Sequence, residues 1–281
     1  MGRKRVFLAA ALLVAVAAAW PLMAQPGLLN TRGGGDSPFL LQRVQQLVTA
    51  VAQGHFPVRW MPDANYGYGY PFYNFYAPLS IYITAVFRAI GFSYVRAIQL
   101  SQLAGFLTAA AGMFYLARRW FRSEWAGLLA SVAYTVAPFH MVNVYVRGDS
   151  LAEFWAMAFY PLILLAADVL IQRFQIIDLT TDKKSRRFFS VSGFSCLWFV
   201  YAPVGRYAAL LALAYAALIL SHNISALIFS PFLLLYLLLA WLSTRQSPIT
   251  KRQPPLTAYR LPFTLLTALL LAFALAAWFF I

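Results

Sequence analysis

Long apolar runs separated by short polar segments dominate this sequence. Each run reaches or approaches the roughly 20 residues that a helix needs to cross a bilayer. The pattern therefore predicts an all-α protein built from transmembrane helices. The apolar runs are Val6–Met23, Pro78–Phe92, Ile98–Ala117, Trp125–Val144, Phe154–Ile171, Phe188–Gly205, Tyr207–Ser221, Ser225–Leu242 and Leu261–Ile281.

The composition indicates the same class of protein. Apolar residues make up 62% of the 281 residues and charged residues 11%, against roughly 45–50% and 25% in soluble domains. The net charge of +14 comes from Lys and Arg in short segments between the runs. This is typical of loops facing anionic lipid, so membrane lipids are expected partners and nucleic acid is not. Cys196 is the only cysteine, which excludes an intrachain disulfide.

The basic residues also indicate which runs cross the membrane. If every run crosses, they divide evenly between the two sides. If Pro78–Phe92 and Phe188–Gly205 are only half-inserted or surface-lying, most fall on one side. The positive-inside rule selects the second arrangement, which predicts about seven crossings, a cytoplasmic N-terminus and a place in the cell membrane. We interpret Val6–Met23 as a retained first span, with a signal peptide cleaved after Ala24 as the alternative.

This topology makes residues 1–281 a single transmembrane domain with a long extracytoplasmic loop over residues 24–97. The last run ends at Ile281, so the chain is expected to be the front part of a longer protein or to dock its last helix on a partner. Within the loop, apolar spacing predicts an amphipathic helix near 38–53 that lies on the membrane surface. Asp36 precedes this helix, either as a cap or as a carboxylate facing a lipid head group.

The loop continues into a segment of unusual aromatic density. Nine of the residues from 56 to 76 are aromatic, interspersed with Gly and Pro. Trp and Tyr favour membrane–water interfaces, so one interpretation is an interfacial belt. The other is a platform on which sugar rings stack while Asn and Asp bind hydroxyl groups. The sequence leaves both open.

Two further turns carry polar residues of interest. His140, Asn143 and Arg147 share one helical face, and the acidic residues Asp149 and Glu153 follow. An Arg–carboxylate pair at a helix junction is the simpler interpretation, and a phosphate-binding guanidinium is the functional one. His222 and Asn223 either form hydrogen bonds at a helix end or contact a ligand. No metal-ligand spacing occurs, so no metal site or cofactor is predicted, although a divalent ion stays open.

Taken together, these features resemble the GT-C superfamily of membrane glycosyltransferases. Members have a cytoplasmic N-terminus, one span, and a long first outer loop with an acidic residue just after the span. Five segments also look like an uncharacterised bacterial membrane family labelled "6-pyruvoyl-tetrahydropterin synthase-related". These segments are Gly35–Arg43, Phe56–Trp60, Gly69–Phe72, Arg147–Glu153 and Ser221–Asn223.

The resemblance implies that Asp36 is the catalytic carboxylate, which takes a proton from an acceptor hydroxyl attacking a polyprenyl-phosphate-linked sugar. Arg147 is the first candidate to stabilise the leaving phosphate, with Arg59 and Arg43 next. Here Ser37 follows Asp36, where better-known members have a second acid. The remaining candidates for substrate binding are Asp149, Glu153, His222, Asn223 and Tyr70.

Two non-enzymatic functions compete with this hypothesis. A transporter or flippase for a glycolipid should carry charges near mid-membrane, at broken helices in matching halves. Asp168 is the clearest charge within a run, and no matching halves are visible. An assembly subunit whose chemistry lies beyond residue 281 is the other alternative.

Overall fold

The computed structural model describes residues 2–29, 37–148, 150–188, 195–245 and 256–280, and the side chains within 2–29, 37–148, 150–174, 204–243 and 261–280. These residues form helices and loops and no strand, as predicted. The helices are α1 (Gly2–Ala24), α2 (Ser37–Ala52), α3 (Phe72–Phe75), α4 (Leu79–Ala89), α5 (Tyr94–Phe121), α6 (Glu124–Thr135), α7 (Pro138–Tyr145), α8 (Leu151–Phe188), α9 (Ser195–Ser221), α10 (Asn223–Arg245) and α11 (Leu256–Phe280), with a 3-10 turn at Asn65–Gly67.

Six of the described helices are long and apolar enough to cross a membrane, and a seventh span results if α6 and α7 count together. Their axes are bent by 41° at the break between Thr135 and Pro138. This agrees with the prediction of about seven crossings and makes the chain a multi-pass membrane protein. Helix α4 is too short to be a candidate span. The run at 188–205 is described from Ser195 onward, where it is continuous with the span in α9.

The chain divides into two compact units. The first comprises Met1–Leu162, Ala217–Ala226 and Ala276–Ile281. Glycines let its helices approach closely, as is common between membrane helices. A Cβ atom on Gly105 would lie 2.3 Å from the Phe154 ring, and one on Gly127 would lie 3.0 Å from the Phe114 carbonyl oxygen. Contacts of α5 with α8 and α6 therefore depend on these residues having no side chain.

Polar side chains secure the end of α1 within the first unit. Arg96, in the first turn of α5, donates from Nη1 to the Met23 carbonyl oxygen at 2.5 Å and to Gln99 Oε1 at 2.9 Å. Gln99 in turn donates to the carbonyl oxygens of Gln25 and Gly27. The last carbonyl groups of a helix lack partners inside it, so these contacts satisfy the end of α1 and fix the start of the following loop.

Helix α2 lies where the sequence predicts an amphipathic helix, but its environment differs from the predicted one. Its apolar face packs against α4 and α5. Leu40, Val44 and Leu47 are buried among protein side chains in the core of the first unit. The face that the sequence assigned to lipid is therefore covered by protein, because the neighbouring helices offer apolar surface of their own.

The second unit comprises Ile163–Ala216 and Leu227–Leu275. Polar contacts link its helices. Tyr236 of α10 donates to Asp168 Oδ1 of α8 at 3.2 Å, and the Tyr215 hydroxyl of α9 lies 2.5 Å from Ser230 Oγ. Tyr215 also packs edge-on against Phe273 of α11. The charge of Asp168 is thus met by a hydroxyl donor from a neighbouring helix.

Candidate functional site

A cluster of polar side chains forms where α7 ends and α8 begins. Arg147 follows α7 and donates from Nη1 to Asn143 Oδ1 at 3.3 Å and to Glu153 Oε2 at 2.5 Å. Asn143 is fully buried in the last part of α7, and Glu153 lies in the first turn of α8. Gly148 makes the sharp turn between the helices, with a positive φ of 76° that favours glycine.

His222 joins this cluster from the turn between α9 and α10. Its Nε2 lies 3.8 Å from Glu153 Oε1. Its Nδ1 accepts the backbone N–H of Ser225 at 3.2 Å and lies 2.7 Å from the Ser225 hydroxyl. Because Nδ1 is an acceptor, the proton of neutral His222 resides on Nε2, facing the carboxylate. We refer to Asn143, Arg147, Glu153, His222 and Ser225 as the Arg147 cluster.

Burial favours the neutral form of His222. Burial lowers the pKa of His222 below its ordinary value; the Glu153 carboxylate acts to raise it, and Arg147 acts to lower it. The balance stays on the side of the neutral imidazole. At neutral pH the cluster therefore contains one ion pair, Arg147 with Glu153, and a neutral hydrogen-bonding ring.

The beginning of α2 reaches the same turn. Ser37 is buried, and its Oγ would lie 2.5 Å from a Cβ atom on Gly148. The same Oγ donates to the Leu29 carbonyl oxygen at 3.1 Å, which ties the loop after α1 to the start of α2. Asp36 and Asp149, two of the predicted site residues, lie outside the described residues. Their chain neighbours Ser37 and Gly148 are in contact.

Arg59 lies apart from the Arg147 cluster, at the end of α11. Its Nη2 donates to the Trp278 carbonyl oxygen, and its Nη1 donates to the Phe279 carbonyl oxygen and to Asn74 Oδ1, each at 3.3 Å. The guanidinium also lies 6.0 Å from the Trp278 ring centroid. A cation at a helix C-terminus stabilises both the free carbonyl groups and the helix dipole. Arg59 therefore fixes the end of α11.

Arg43, in α2, contacts the aromatic segment, and Tyr70 belongs to that segment; neither is part of the Arg147 cluster. The Arg43 guanidinium lies 4.5 Å from the Phe72 ring centroid. The backbone of Tyr70 pairs with that of Met61 through reciprocal hydrogen bonds of 2.8 and 2.9 Å. Asn223 begins α10, where its Oδ1 accepts the backbone N–H of Ile224. Their assignment to substrate binding stays a prediction.

Sequence spacing found part of the Arg147 cluster. Arg147 does contact Asn143, although it follows the end of α7 and does not share a helical face with it. His140 packs against the rings of Phe106 and Phe154. Ser225 was missed, although its position three residues after His222 is the spacing of neighbours on a helix. The contact between Ser37 and Gly148 has no local signal, because the two residues belong to distant parts of the chain.

Comparison with known proteins gives one distant similarity. The chain is 27% identical over 217 residues to an uncharacterised protein of Lactococcus lactis subsp. cremoris (strain MG1363), a match that covers 74% of this chain and 30% of that protein. The matched part thus spans less than a third of the length of this relative. No family model matches the sequence, and no solved structure matches the fold.

Proposed function

We propose that this protein is a GT-C-like glycosyltransferase that moves a sugar from a polyprenyl-phosphate donor to an acceptor at the outer face of the cell membrane. One contact carries the proposal. Ser37, the residue after Asp36, packs against Gly148, the residue after Arg147. This contact supports a common neighbourhood for the carboxylate and the guanidinium that the reaction requires.

In the proposed reaction Asp36 acts on the acceptor. Its carboxylate takes the proton of an acceptor hydroxyl as the hydroxyl oxygen bonds to the anomeric carbon of the sugar. The bond between that carbon and the phosphate oxygen breaks, and its electron pair leaves with the polyprenyl phosphate. Because the leaving group is already an anionic phosphate, the reaction needs no general acid.

Arg147 would stabilise the charge that develops on the leaving phosphate. Its Nη1 is used by Asn143 and Glu153, but none of the described residues accepts a hydrogen bond from its Nε or Nη2. The side chain is 42% exposed, so these donors are accessible to a ligand. A planar guanidinium binds phosphate oxygens through paired charge-assisted hydrogen bonds. Glu153 would be a positioning residue that orients the guanidinium.

The break between α6 and α7 favours a second candidate function. Transporters bind substrates at discontinuous helices, and this bent pair ends at Tyr145, two residues before Arg147. The same guanidinium would then contact the phosphate of a glycolipid that is moved across the membrane without chemical change.

Turnover by the protein in proteoliposomes separates these functions. Synthetic polyprenyl-phosphate hexoses and pentoses serve as donors, with lipids and soluble glycans as acceptors, and release of free polyprenyl phosphate is measured. We expect release by the wild-type protein and a loss of at least about a hundredfold in Asp36→Asn, the effect of removing a general base. Glu124→Gln, which neutralises a carboxylate that is paired with Arg118 at the start of α6, is the control and should retain turnover.

Wild-type turnover by Asp36→Asn would remove the carboxylate from the reaction. A glycolipid that crosses the vesicle membrane intact, with no phosphate released from any donor, would overturn the transferase and support the transporter. Arg147→Gln should impair either activity, so it tests the site rather than the choice between them.

A further inference from the structure

The aromatic segment contains rings that are fixed on one face and open on the other. Trp60 is the first example. A Cβ atom on Gly69 would lie 2.4 Å from the Trp60 indole nitrogen, so the indole lies directly on the backbone of Gly69. The ring is nevertheless 49% exposed. A side chain at position 69 would displace the indole from this place.

Tyr76 is the second example. Its ring stacks on the buried Phe72 ring, with 4.5 Å between the centroids and an angle of 6° between the planes. The Arg43 guanidinium also lies against Phe72, and the hydroxyl of Tyr73 donates to the Arg43 carbonyl oxygen at 2.6 Å. Tyr76 is 52% exposed. Its ring is therefore supported on one side by an ordered stack.

A hydrogen-bonding group accompanies these rings. Asn74 is exposed and lies two residues before Tyr76. Its Oδ1 accepts from Arg59, while its amide nitrogen donates to none of the described residues. The rings therefore have a neighbouring amide donor, which an apolar ligand would leave unused.

Backbone contacts hold the segment in one conformation. Met61 and Tyr70 exchange two hydrogen bonds, and the Asp63 N–H donates to Gln46 Oε1 of α2 at 3.1 Å. The Val58 N–H donates to the Tyr82 hydroxyl of α4 at 3.0 Å. A binding surface that is ordered before its ligand arrives loses less conformational freedom on binding.

We propose that Trp60, Tyr76 and Asn74 form a binding platform for a glycan. The C–H bonds on the face of a sugar ring are drawn to the electron-rich face of an aromatic ring, and an amide binds hydroxyl groups. In the proposed reaction this platform would bind the acceptor. That role rests on the proposed function. Arg43 lies six residues along α2 from Ser37, about 9 Å at the rise of an α-helix, so the platform adjoins the proposed site.

The turn that follows Trp60 favours a glycan over the bilayer as the occupant. Surface segments that enter lipid combine aliphatic and aromatic residues with Lys or Arg. The turn at residues 62–69 contains Asp63 and Asn65 and no Lys or Arg, and its one aliphatic residue, Ala64, is buried. Tyr66, at its tip, is fully exposed.

Binding of soluble oligosaccharides tests the platform. The full chain in nanodiscs is titrated with maltohexaose, chitotetraose and α-linked mannotetraose, and heats of binding are recorded. We expect saturable binding of at least one probe, weakened about tenfold or more by Trp60→Ala or Tyr76→Ala, since an aromatic contact contributes about one such factor. Tyr76→Phe keeps the ring and should retain binding. Tyr66→Ala removes a ring that is fully exposed and stacks on no other ring among the described residues, and it is the control.

Two results would overturn the platform. One is the absence of saturable binding to any of the three probes. The other is quenching of Trp60 fluorescence by brominated lipids, measured as the difference between wild type and Trp60→Phe, which would assign the rings to the bilayer. Asp36→Asn should bind the probe normally. Normal oligosaccharide binding without turnover, in wild type as well as in the variants, would therefore contradict the proposed reaction and leave the platform intact.

Discussion

The Oγ atom of Ser37 occupies the space next to Gly148 that a side chain on residue 148 would need, at 2.5 Å from the expected Cβ position. Ser37 cannot simply turn away, because its Oγ also donates to the Leu29 carbonyl oxygen. That carbonyl oxygen itself lies 3.1 Å from the same Cβ position. The loop after α1, the start of α2 and the α7–α8 turn therefore meet at a glycine.

We expect Gly148→Ala to destabilise the protein for two reasons. Its φ of 76° costs an alanine about 1–2 kcal/mol, and the methyl group collides with Ser37. Gly54→Ala is the matched control, because Gly54 has a φ of 87° and open space at its Cβ position. Thermal unfolding in detergent should show a larger loss for Gly148→Ala. Adding Ser37→Gly to Gly148→Ala should recover part of the difference, and equal losses in the two alanine variants would contradict the contact.

Arg59→Gln should loosen the end of α11. The substitution removes charge-assisted hydrogen bonds to the carbonyl groups of Trp278 and Phe279, and bonds of this kind contribute about 1.5–3 kcal/mol. Arg59→Lys retains the charge near the helix end, so its loss of unfolding free energy should be smaller. Denaturant unfolding should give a free energy of unfolding that is highest for wild type, lower for Arg59→Lys and lowest for Arg59→Gln. A Gln variant as stable as wild type would remove this role.

Substitutions in the Arg147 cluster should move the pKa of His222 in opposite directions. Glu153 acts to raise that pKa and Arg147 acts to lower it. Glu153→Gln should therefore depress the pKa further, and Arg147→Gln should raise it. Titration of isotope-labelled histidine side chains by NMR, with His222→Gln to assign the signal, measures both changes. Shifts of the same sign in the two variants would contradict the cluster geometry.

His222 should also make stability depend on pH. Burial keeps its folded-state pKa below the ordinary value of about 6.5. Between these two pKa values His222 is protonated in the unfolded chain and neutral in the folded chain. The free energy of unfolding therefore falls as the pH drops below about 6.5, and the contribution of His222 is constant above that pH. Comparing unfolding midpoints of wild type and His222→Gln isolates the effect, because His55 and His140 remain in both. We expect a shallower acid decline in the variant; parallel profiles would exclude His222.

The predicted orientation can be checked by cysteine labelling in a Cys196→Ala background. Ser37 is buried and unsuitable as a probe, whereas Gln53, just after α2, is exposed. We expect a membrane-impermeant thiol reagent to label Gln53→Cys from outside intact cells and Ser185→Cys only after the cytoplasm is opened, as the positive-inside rule requires. Labelling of Ser185→Cys from outside would reverse this topology.

The membrane spans could be predicted from the sequence because their physical signal is local. A helix that satisfies its own backbone hydrogen bonds and presents apolar side chains is stable in lipid whatever its neighbours are. The same holds for the amphipathic pattern of α2 and for the short-range contacts of Arg147 with Asn143 and Glu153. All of these follow from residues a few positions apart.

Only the tertiary structure decided which partners the remaining residues have. It placed the apolar face of α2 on protein, Arg59 on the end of α11, His222 beside Glu153 and Ser37 against Gly148. Each of these contacts joins segments far apart in the chain, and each depends on how apolar helices pack. Residue spacing defines the faces of a helix, but many arrangements bury the same faces, so the pattern alone does not select the neighbour.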